Sequence, residues 1–460
     1  MKNVGFINPP SEFLINQRVF VTLGILRVVT YLNTLNICKV KFLDLSNETD
    51  YYNSITEFIK KNDLQVVCFT ATTPQIQVVY QFCKFINSNF KIKIILGGPH
   101  ITLMHSSLNK GTDDIRGLCF KHIYELMKWV DTIVVGDGEY AIVDALTSDK
   151  KLINSECDSK LFLKRNYDEV AIPDRQFLDL SSYSYTIDGV KATNIISQMG
   201  CPYQCMFCSG RGSKTFNTVR KRSVKNIIEE IDNLYTKYDY RGFMFYDDEL
   251  NVNKYYFMEF LEELILYQYL NNVHFKLRGF TRADLLTAEQ ASKMYQAGFR
   301  WILTGFESGS DRMLINMNKG NTVKDNTNAL EMARQAGLKV KALMSIWHPG
   351  ESLDTINETK DWLLKVRPDE TDITIISTYP GTPYYDETIW NEEKNAWQYI
   401  NKKTGDKLYS LNVDYMKDSV FYKSDPNSYK AFVFTDYLNC QELVDERKKL
   451  DFLIKGMNNV

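Results

Sequence analysis

The sequence predicts an α/β protein in two successive modules, a flavodoxin/Rossmann-like parallel sheet followed by a partial (β/α)6 barrel, with a small C-terminal module appended. Three observations predict it. Short apolar or β-branched runs alternate with amphipathic stretches of helical length, five times and then six times more. The residues that interrupt the pattern, chiefly glycine, threonine and acidic pairs, collect where those runs end. At 460 residues the chain is too long for one ordinary core, and 44% hydrophobic with 24% charged residues is the balance of a soluble protein.

The first module, residues 1–150, carries strands over 4–9, 40–45, 65–72, 92–98 and 131–138. These runs are nearly continuous in apolar residues, as in a parallel sheet covered on both faces. Residues 74–88 form a helical stripe of Ile76, Val79, Phe82, Cys83 and Ile86. Ligands of such sheets lie beyond the carboxyl ends of the strands. That rule singles out Thr70, Thr72, Gly97, Gly98, Pro99, His100, Gly136, Gly138 and Glu139. No G-x-G-x-x-G run follows the first strand, so the glycines are not a dinucleotide fingerprint.

Residues 151–190 form a polar linker with Pro173 and no clear period. The second module, 191–385, resumes the alternation with strands over 194–199, 242–247, 274–280, 301–307, 339–347 and 372–377. Its helix over 223–238 stacks Ile227, Ile228, Ile231, Leu234 and Tyr235, with Ser223 as N-cap, and Gly337 closes the helix ending Arg334-Gln-Ala. Six β-α units make a barrel or an incomplete one, with its chemistry at the strand carboxyl ends. The C-terminal module, 386–460, is rich in aromatics (Trp390, Trp397, Tyr409, Tyr415, Phe421, Tyr422), and Asn439 with Glu442 reads as a capping box. It is expected either to close over the barrel mouth or to seal an apolar edge.

Three of the nine cysteines, Cys201, Cys205 and Cys208, stand as C-x₃-C-x₂-C in the loop after the first strand of the second module. Three thiolates cannot close a tetrahedral zinc site without a fourth ligand, for which His274 and His348 are the candidates. They can hold three irons of a 4Fe–4S cluster and leave the fourth iron open, and an open position points to chemistry. The other cysteines are scattered without pairing spacings, as in a reducing cytoplasm. A net charge of −2 gives no general attraction to nucleic acid or an anionic membrane. The first residues lack the apolar stretch of a signal peptide, and no segment has the apolar length of a membrane span. The basic run Arg211, Lys214, Arg220, Lys221 and Arg222 reads as a solvated edge, or as a receiver for an anionic substrate group.

With these residues in view, the chain resembles a radical S-adenosylmethionine enzyme carrying an N-terminal cobalamin (B12)-binding domain. The likeness rests first on the cysteine triplet. It continues in order through Arg222-Ser-Val, Phe245-Tyr-Asp-Asp-Glu249, 278–285, Gly305-Phe-Glu-Ser-Gly-Ser310, 336–351 and 379–383. Gly97-Gly-Pro-His-Ile-Thr102 and Val134-Val-Gly-Asp-Gly-Glu139 carry the cobalamin half. The resemblance implies a cluster on Cys201, Cys205 and Cys208 with Phe207 beside it. It implies S-adenosylmethionine contacts from Asp247, Asp248, Arg282, Glu307, Ser308, Ser345 and Ile346, and cobalamin contacts from the first module's strand-end residues. Many relatives have Gly-Gly-Glu where Asp247-Asp-Glu249 stands, which leaves open the carboxylate that takes the methionine ammonium.

Glu307 has a second reading as a cap for the helix near Asp311, and Arg282 as a structural partner of Asp284. His348 stands where relatives usually have an apolar residue; it reads as a loop residue or as a substrate-facing donor. No histidine lies between Met1 and Phe90, so none is expected on cobalt; a side chain from the loop after Pro9-Pro10 is expected to face it.

What the resemblance implies is an oxygen-sensitive cytoplasmic enzyme that cleaves S-adenosylmethionine to a 5′-deoxyadenosyl radical. The radical takes hydrogen from an inert carbon of a small or peptide-like substrate, and methylcobalamin delivers a methyl group. A flavodoxin or ferredoxin is the implied electron donor, with no nucleic acid or membrane partner. Other readings are cyclisation or rearrangement without methylation, a non-catalytic cobalamin or redox sensor, and a zinc-stabilised scaffold.

Overall fold

The computed structural model describes all residues except 12–13, 164–166, 171, 416, 418–428 and 459–460. The first sheet has six parallel strands, β1 (Lys2–Asn8), β2 (Cys38–Asp44), β3 (Val66–Thr70), β4 (Lys93–Gly97), β5 (Thr132–Val135) and β6 (Leu152–Asn154), in the order β2-β1-β3-β4-β5-β6. Its buried strand residues divide by parity. Phe6, Cys68, Ile95 and Val134 pack under helices Leu23–Thr34 and Gly138–Thr147. Ile7, Val67, Phe69 and Leu96 pack against Ile55 and Ile59 of Tyr51–Lys61, Phe82 and Ile86 of Ile76–Asn89, and Cys119 of Asp113–Leu126. Covering on both faces is why these runs carry so few polar residues. The sixth strand falls in the stretch read as polar linker, because three residues are too few to show a period.

The second sheet opens with a hairpin, β7 (Thr186–Ile187) and β8 (Val190–Ile195), turning through Asp188 and Gly189 at positive φ. Then β9 (Gln198–Met199) pairs antiparallel with β10 (Arg220–Lys221). Five parallel strands complete the sheet: β11 (Gly242–Phe245), β12 (Lys276–Thr281), β13 (Phe299–Glu307), β14 (Lys339–Ile346) and β15 (Glu370–Ile375). The order β15-β14-β13-β12-β11-β8-β7 is an open, partial barrel. The run expected as one strand over 194–199 is divided, because the Asp247 carboxylate takes the backbone amides of Ser197 and Gln198 that would have extended the ladder. Phe243, Phe245, Leu277, Phe299, Val340 and Met344 face the outer helices, while Arg278, Phe280 and Lys341 stay half-buried on the inner face. Ser223 caps Val224–Tyr238 by accepting from the Asn226 amide (3.2 Å), and Gly337 has φ +84°.

Beyond β14 the chain makes a buried turn. Trp347 is fully buried with φ +81°, and its amide donates to Glu351 Oε2 (2.8 Å) while Thr355 Oγ1 donates to Oε1 (3.1 Å). The C-terminal residues build an antiparallel meander, β16 (Ile389–Asn391), β17 (Ala396–Ile400), β18 (Lys407–Ser410) and β19 (Val433–Phe434), and a helix Cys440–Asn458. Its aromatics make the sheet cohere: Trp390 packs on Trp397 and Tyr409 stacks on Phe434. Phe421 and Tyr422 lie outside the described residues. The meander rests on the turn after β14 through Gly350 N–H to Lys407 O (3.2 Å), and the helix lies along β15, with Arg447 Nε donating to Ile373 O (3.0 Å). Asn439 and Glu442 form the expected reciprocal cap.

The two sheets meet with their carboxyl ends toward each other. Asn194 exchanges two hydrogen bonds with the Val21 backbone, Ser107 Oγ donates to Asp386 (2.5 Å), and Arg220 pairs with Asp137 at 2.6 Å. Arg220 and Arg222 correct the reading of a solvated edge. Both are buried, the first on Asp137 and the second on Glu230, which also takes Arg175. Asp137 lies 83 residues before Arg220, so no local pattern marks that pairing.

Two outcomes follow. Arg220→Ala strands the Asp137 carboxylate and should lower stability by about 3–5 kcal/mol in urea denaturation, whereas the double change Asp137→Leu with Arg220→Met should lose far less. Burial pushes Glu351 up to about 7 from 4.5. A carboxyl raised on folding binds a proton that the unfolded chain has released, so its contribution to stability falls as pH rises from about 4.5 to 7. Glu351→Gln should remove that slope, roughly 3 kcal/mol end to end.

Candidate cofactor site

The cysteine loop is immobilised by its backbone. Gly200 N–H donates to Asp248 Oδ2 (2.7 Å), Cys201 N–H to Phe216 O (2.9 Å), Met206 N–H to Met317 O (2.8 Å), and Asn318 Nδ2 holds Gln204 O (2.8 Å). Gly200 adopts φ +89°, and a Cβ there would strike the Thr218 carbonyl. Cys205 is buried and the other two are half-buried. Burial, with nearby carboxylates and sulfurs adding to it, pushes the Cys201 thiol up to about 11 and Cys208 up to about 12. Thiolates at Cys201 and Cys208 would therefore gain from a cationic centre beside them, as a cluster supplies. Among the described residues no three or more Cys, His, Asp or Glu converge on a single ion; in a cluster each sulfur binds a different iron. Neither histidine offered as a fourth zinc ligand is available: His274 precedes β12, at the end of the parallel sheet opposite the cysteine loop, and His348 has both ring nitrogens engaged by Ser345 and Tyr384.

Of the three acidic residues after β11, Asp247 is turned inward. Its carboxylate accepts from Ser197 N–H, Gln198 N–H and Ser197 Oγ, so it serves the fold, and burial raises it to about 7. Asp248 anchors Gly200 and borders a cavity with Cys201 and Cys208. Glu249 differs from both. Its Oε2 is buried with no hydrogen-bond partner, and burial raises the group to about 7 against the pull of Lys319 and Arg282. An orphaned acceptor of this kind fits an incoming ammonium.

Arg282 takes the structural reading, with Nε 2.7 Å from Asp284 and the guanidinium 3.7 Å over the Tyr203 ring. It thereby braces the cysteine loop rather than standing free. Glu307 ends β13 at φ +64°; Lys319 Nζ holds one oxygen (2.9 Å) and Ser345 Oγ the other (2.8 Å). It does not cap the following helix, whose N-cap is Ser310 with Asp311 in its first turn. Phe207 packs edge-on against His348, ring centroids 5.3 Å apart. Ser308 and Ile346 are not brought to this group: Ser308 is buried on Thr359, and the Ile346 side chain joins the outer core. Lys319, Tyr203 and Tyr384 belong to the site but carry no sequence signal; Lys319 is one of 55 basic residues.

A second cleft lies at the carboxyl end of the first sheet. Thr70, Gly97, Gly98, Pro99, Gly136, Gly138 and Glu139 line it as expected, and Ile196, Met199, Thr215 and Phe216 close it from the other module. Gly98 has φ +103°, and a Cβ would meet Thr70 Oγ1 and the Ala71 backbone. Thr72 and His100 do not line it. Thr72 caps the turn Thr73–Gln75, while His100 is buried between Thr73 Oγ1 and His122 Nε2, both at 3.1 Å. Residues 12–13 of the loop after Pro9-Pro10 lie outside the described residues; the helix beginning at Leu23 lines the cleft through Gly24, Ile25, Arg27 and Val28. Arg27 is held on Glu139 (3.2 Å).

A further cavity sits between the cysteine loop and helix Pro99–Lys110, lined by Cys201, Tyr203, Cys208, Arg211 and Asp248. Pro99 and Phe216 border both cavities. The two cavities are thus adjacent.

Residues 195–363 match the radical SAM superfamily, and residues 18–118 match the B12 binding domain. Over 403 residues the chain is 28% identical to an uncharacterized methyltransferase of Pyrococcus horikoshii, covering 83% of this chain and 82% of that protein. Over 369 residues it is 25% identical to the anaerobic magnesium-protoporphyrin IX monomethyl ester cyclase of Cereibacter sphaeroides, covering 75% of this chain and 56% of the cyclase. In fold it is similar to the radical S-adenosylmethionine methyltransferase TsrM from Kitasatospora setae, solved with tryptophan and an S-adenosylmethionine analogue: TM-score 0.66, 15% identity, covering 83% and 75% of the two chains. OxsB, a cobalamin-dependent radical enzyme solved with aqua-cobalamin and S-adenosylmethionine, matches at TM-score 0.62 and 19% identity over 84% of this chain and 55% of its own. No helix among the described residues is long and apolar enough to cross a membrane. With the cysteine loop facing a glycine-lined cleft, and both domain families matched in order along the sequence, the chain is a radical S-adenosylmethionine enzyme with an N-terminal B12-binding domain, using a 4Fe–4S cluster, S-adenosylmethionine and cobalamin.

Proposed function

We propose that this enzyme methylates an unactivated carbon of a small or peptide-like substrate. Cys201, Cys205 and Cys208 hold the cluster, Glu249 takes the methionine ammonium, and Glu307 takes the ribose hydroxyls. The cleft lined by Thr70, Gly97, Gly98, Gly136 and Gly138 holds cobalamin. When bound, these groups supply radical chemistry on a C–H bond and a methyl group to transfer. The observation that carries the reading is the common wall of the two cavities, Pro99 and Phe216, which brings the cysteine loop and the glycine cleft onto one reaction space. The relatives' names favour methyl transfer, since one is a methyltransferase over most of both lengths. Likeness to a cyclase supports cyclisation without methylation as the second reading.

The protein's own residues position and enclose. Tyr203, stacked on Arg282, stiffens the loop between two of the cysteines, and Phe216 lines both cavities where they adjoin. The substrate lies on the inner face of the partial barrel, near half-buried Arg278, Phe280 and Lys341. A flavodoxin or ferredoxin reduces the cluster in the cytoplasm.

Anoxically reconstituted protein should bind about four irons per chain, and Cys201→Ala, Cys205→Ala or Cys208→Ala should each abolish 5′-deoxyadenosine release under dithionite. Methyl-deuterated S-adenosylmethionine should label the product of a cell-extract substrate pool by three mass units per deuteriomethyl group; unlabelled turnover would favour the cyclase reading. Glu249→Gln keeps shape but loses the charge, and should weaken S-adenosylmethionine binding by about tenfold or more while iron content holds.

A further inference from the structure

His348 is wholly buried, and both of its ring nitrogens are engaged. Nε2 lies 2.8 Å from Ser345 Oγ and Nδ1 lies 3.2 Å from the Tyr384 hydroxyl. Ser345 has a single hydroxyl proton and donates it to Glu307 Oε2 (2.8 Å), whose companion oxygen is paired with Lys319 (2.9 Å). A carboxylate bound to an ammonium has no proton to return. Ser345 Oγ must then accept from His348, so the ring proton sits on Nε2 and Nδ1 is bare. Tyr384 donates to Nδ1. One arrangement satisfies every contact, and each proton in it points toward Glu307. Burial drives the His348 value down to about 3 and Tyr384 well above its ordinary range, so neither changes form near neutrality.

The backbone tells the same story. Glu307 (φ +64°) and Trp347 (φ +81°) are bulky residues in left-handed geometry at the ends of neighbouring strands, with a register shift between Gly305 and Glu307. Such conformations are unfavourable for side chains of this size and persist only where surrounding contacts over-determine them. Here they bring Glu307, Ser345 and His348 into line.

We propose that His348 is a positioning residue: its Nε2–H fixes the Ser345 hydroxyl, which together with Lys319 fixes Glu307 as an acceptor for the paired hydroxyls of the bound nucleoside. This rests on the reading of Glu307 as the ribose contact. Each Glu307 oxygen accepts one of these two hydrogen bonds, and a carboxylate oxygen retains acceptor capacity for a diol. Because Phe207 packs on the same imidazole, the cysteine loop and the diol acceptor share one support.

The test measures, on full-length anoxically reconstituted protein, the affinities for S-adenosylhomocysteine and for its 2′,3′-dideoxy counterpart. The unaltered enzyme should prefer the diol. His348→Leu and Ser345→Ala should each cut that preference about tenfold, as loss of a buried hydrogen bond does. The double variant should lose no more than either, since the links lie in series. His348→Gln, whose amide nitrogen can take the place of Nε2, should restore the preference. If His348→Leu does not fold, as judged by iron content and circular dichroism, Ser345→Ala decides. Preference that survives Ser345→Ala or His348→Leu but not Glu307→Gln overturns the relay and leaves the Glu307 reading standing. Preference that survives Glu307→Gln overturns both. A His348→Gln variant as impaired as His348→Leu shows that the ring fills space rather than donates, and overturns the proposal.

Discussion

Three thiols must stand close together on a fixed loop without any of them being used to fix it. The chain meets that requirement with main-chain groups. Amides at Gly200, Cys201 and Met206 donate outward to three separate segments, and the Gln204 carbonyl is held by Asn318. The sulfurs lie near one another, with the Tyr203 amide on Cys201, the Gly210 amide on Cys208 and Arg282 on Cys205, and burial disfavours the thiolate at Cys201 and Cys208. Much of the second module's carboxyl rim can be understood as supporting that loop: Asp248 at its start, Tyr203 braced by Arg282 in its middle, and Phe207 seated on His348 near its end.

The alternation of strand and helix was readable because hydrophobic periodicity extends over many residues and is set by burial, which the sheet imposes uniformly. Five of the first sheet's strands and five of the second's, β11 to β15, fall where the apolar runs lie. What escaped the sequence was short or non-local. A three-residue edge strand has no period, and a carboxylate such as Asp247 that ends a ladder fifty residues away leaves no mark near the ladder it ends.

The site was legible in the same proportion. Cysteine spacing and strand-end glycines are local signals, and they located the loop and most of the cleft. Side-chain direction is not local. Asp247, Asp248 and Glu249 are consecutive, yet one faces the core, one anchors a glycine and one leaves an oxygen bare. Thr72 and His100 sit beside true lining residues and still turn away, because each has a nearer polar partner. The basic run misled for a related reason: composition reports charge but not the carboxylate that awaits it across the joint.

The Arg220–Asp137 pair has a bearing on how the chain can be handled. Its cation is contributed by one half of the polypeptide and its anion by the other, and both are sealed from solvent. A fragment cut within residues 151–190 would carry either the bare guanidinium or the bare carboxylate into what had been interior. The halves are thus poor candidates for independent expression, and swapping one for a foreign counterpart would require matching this charge across the seam.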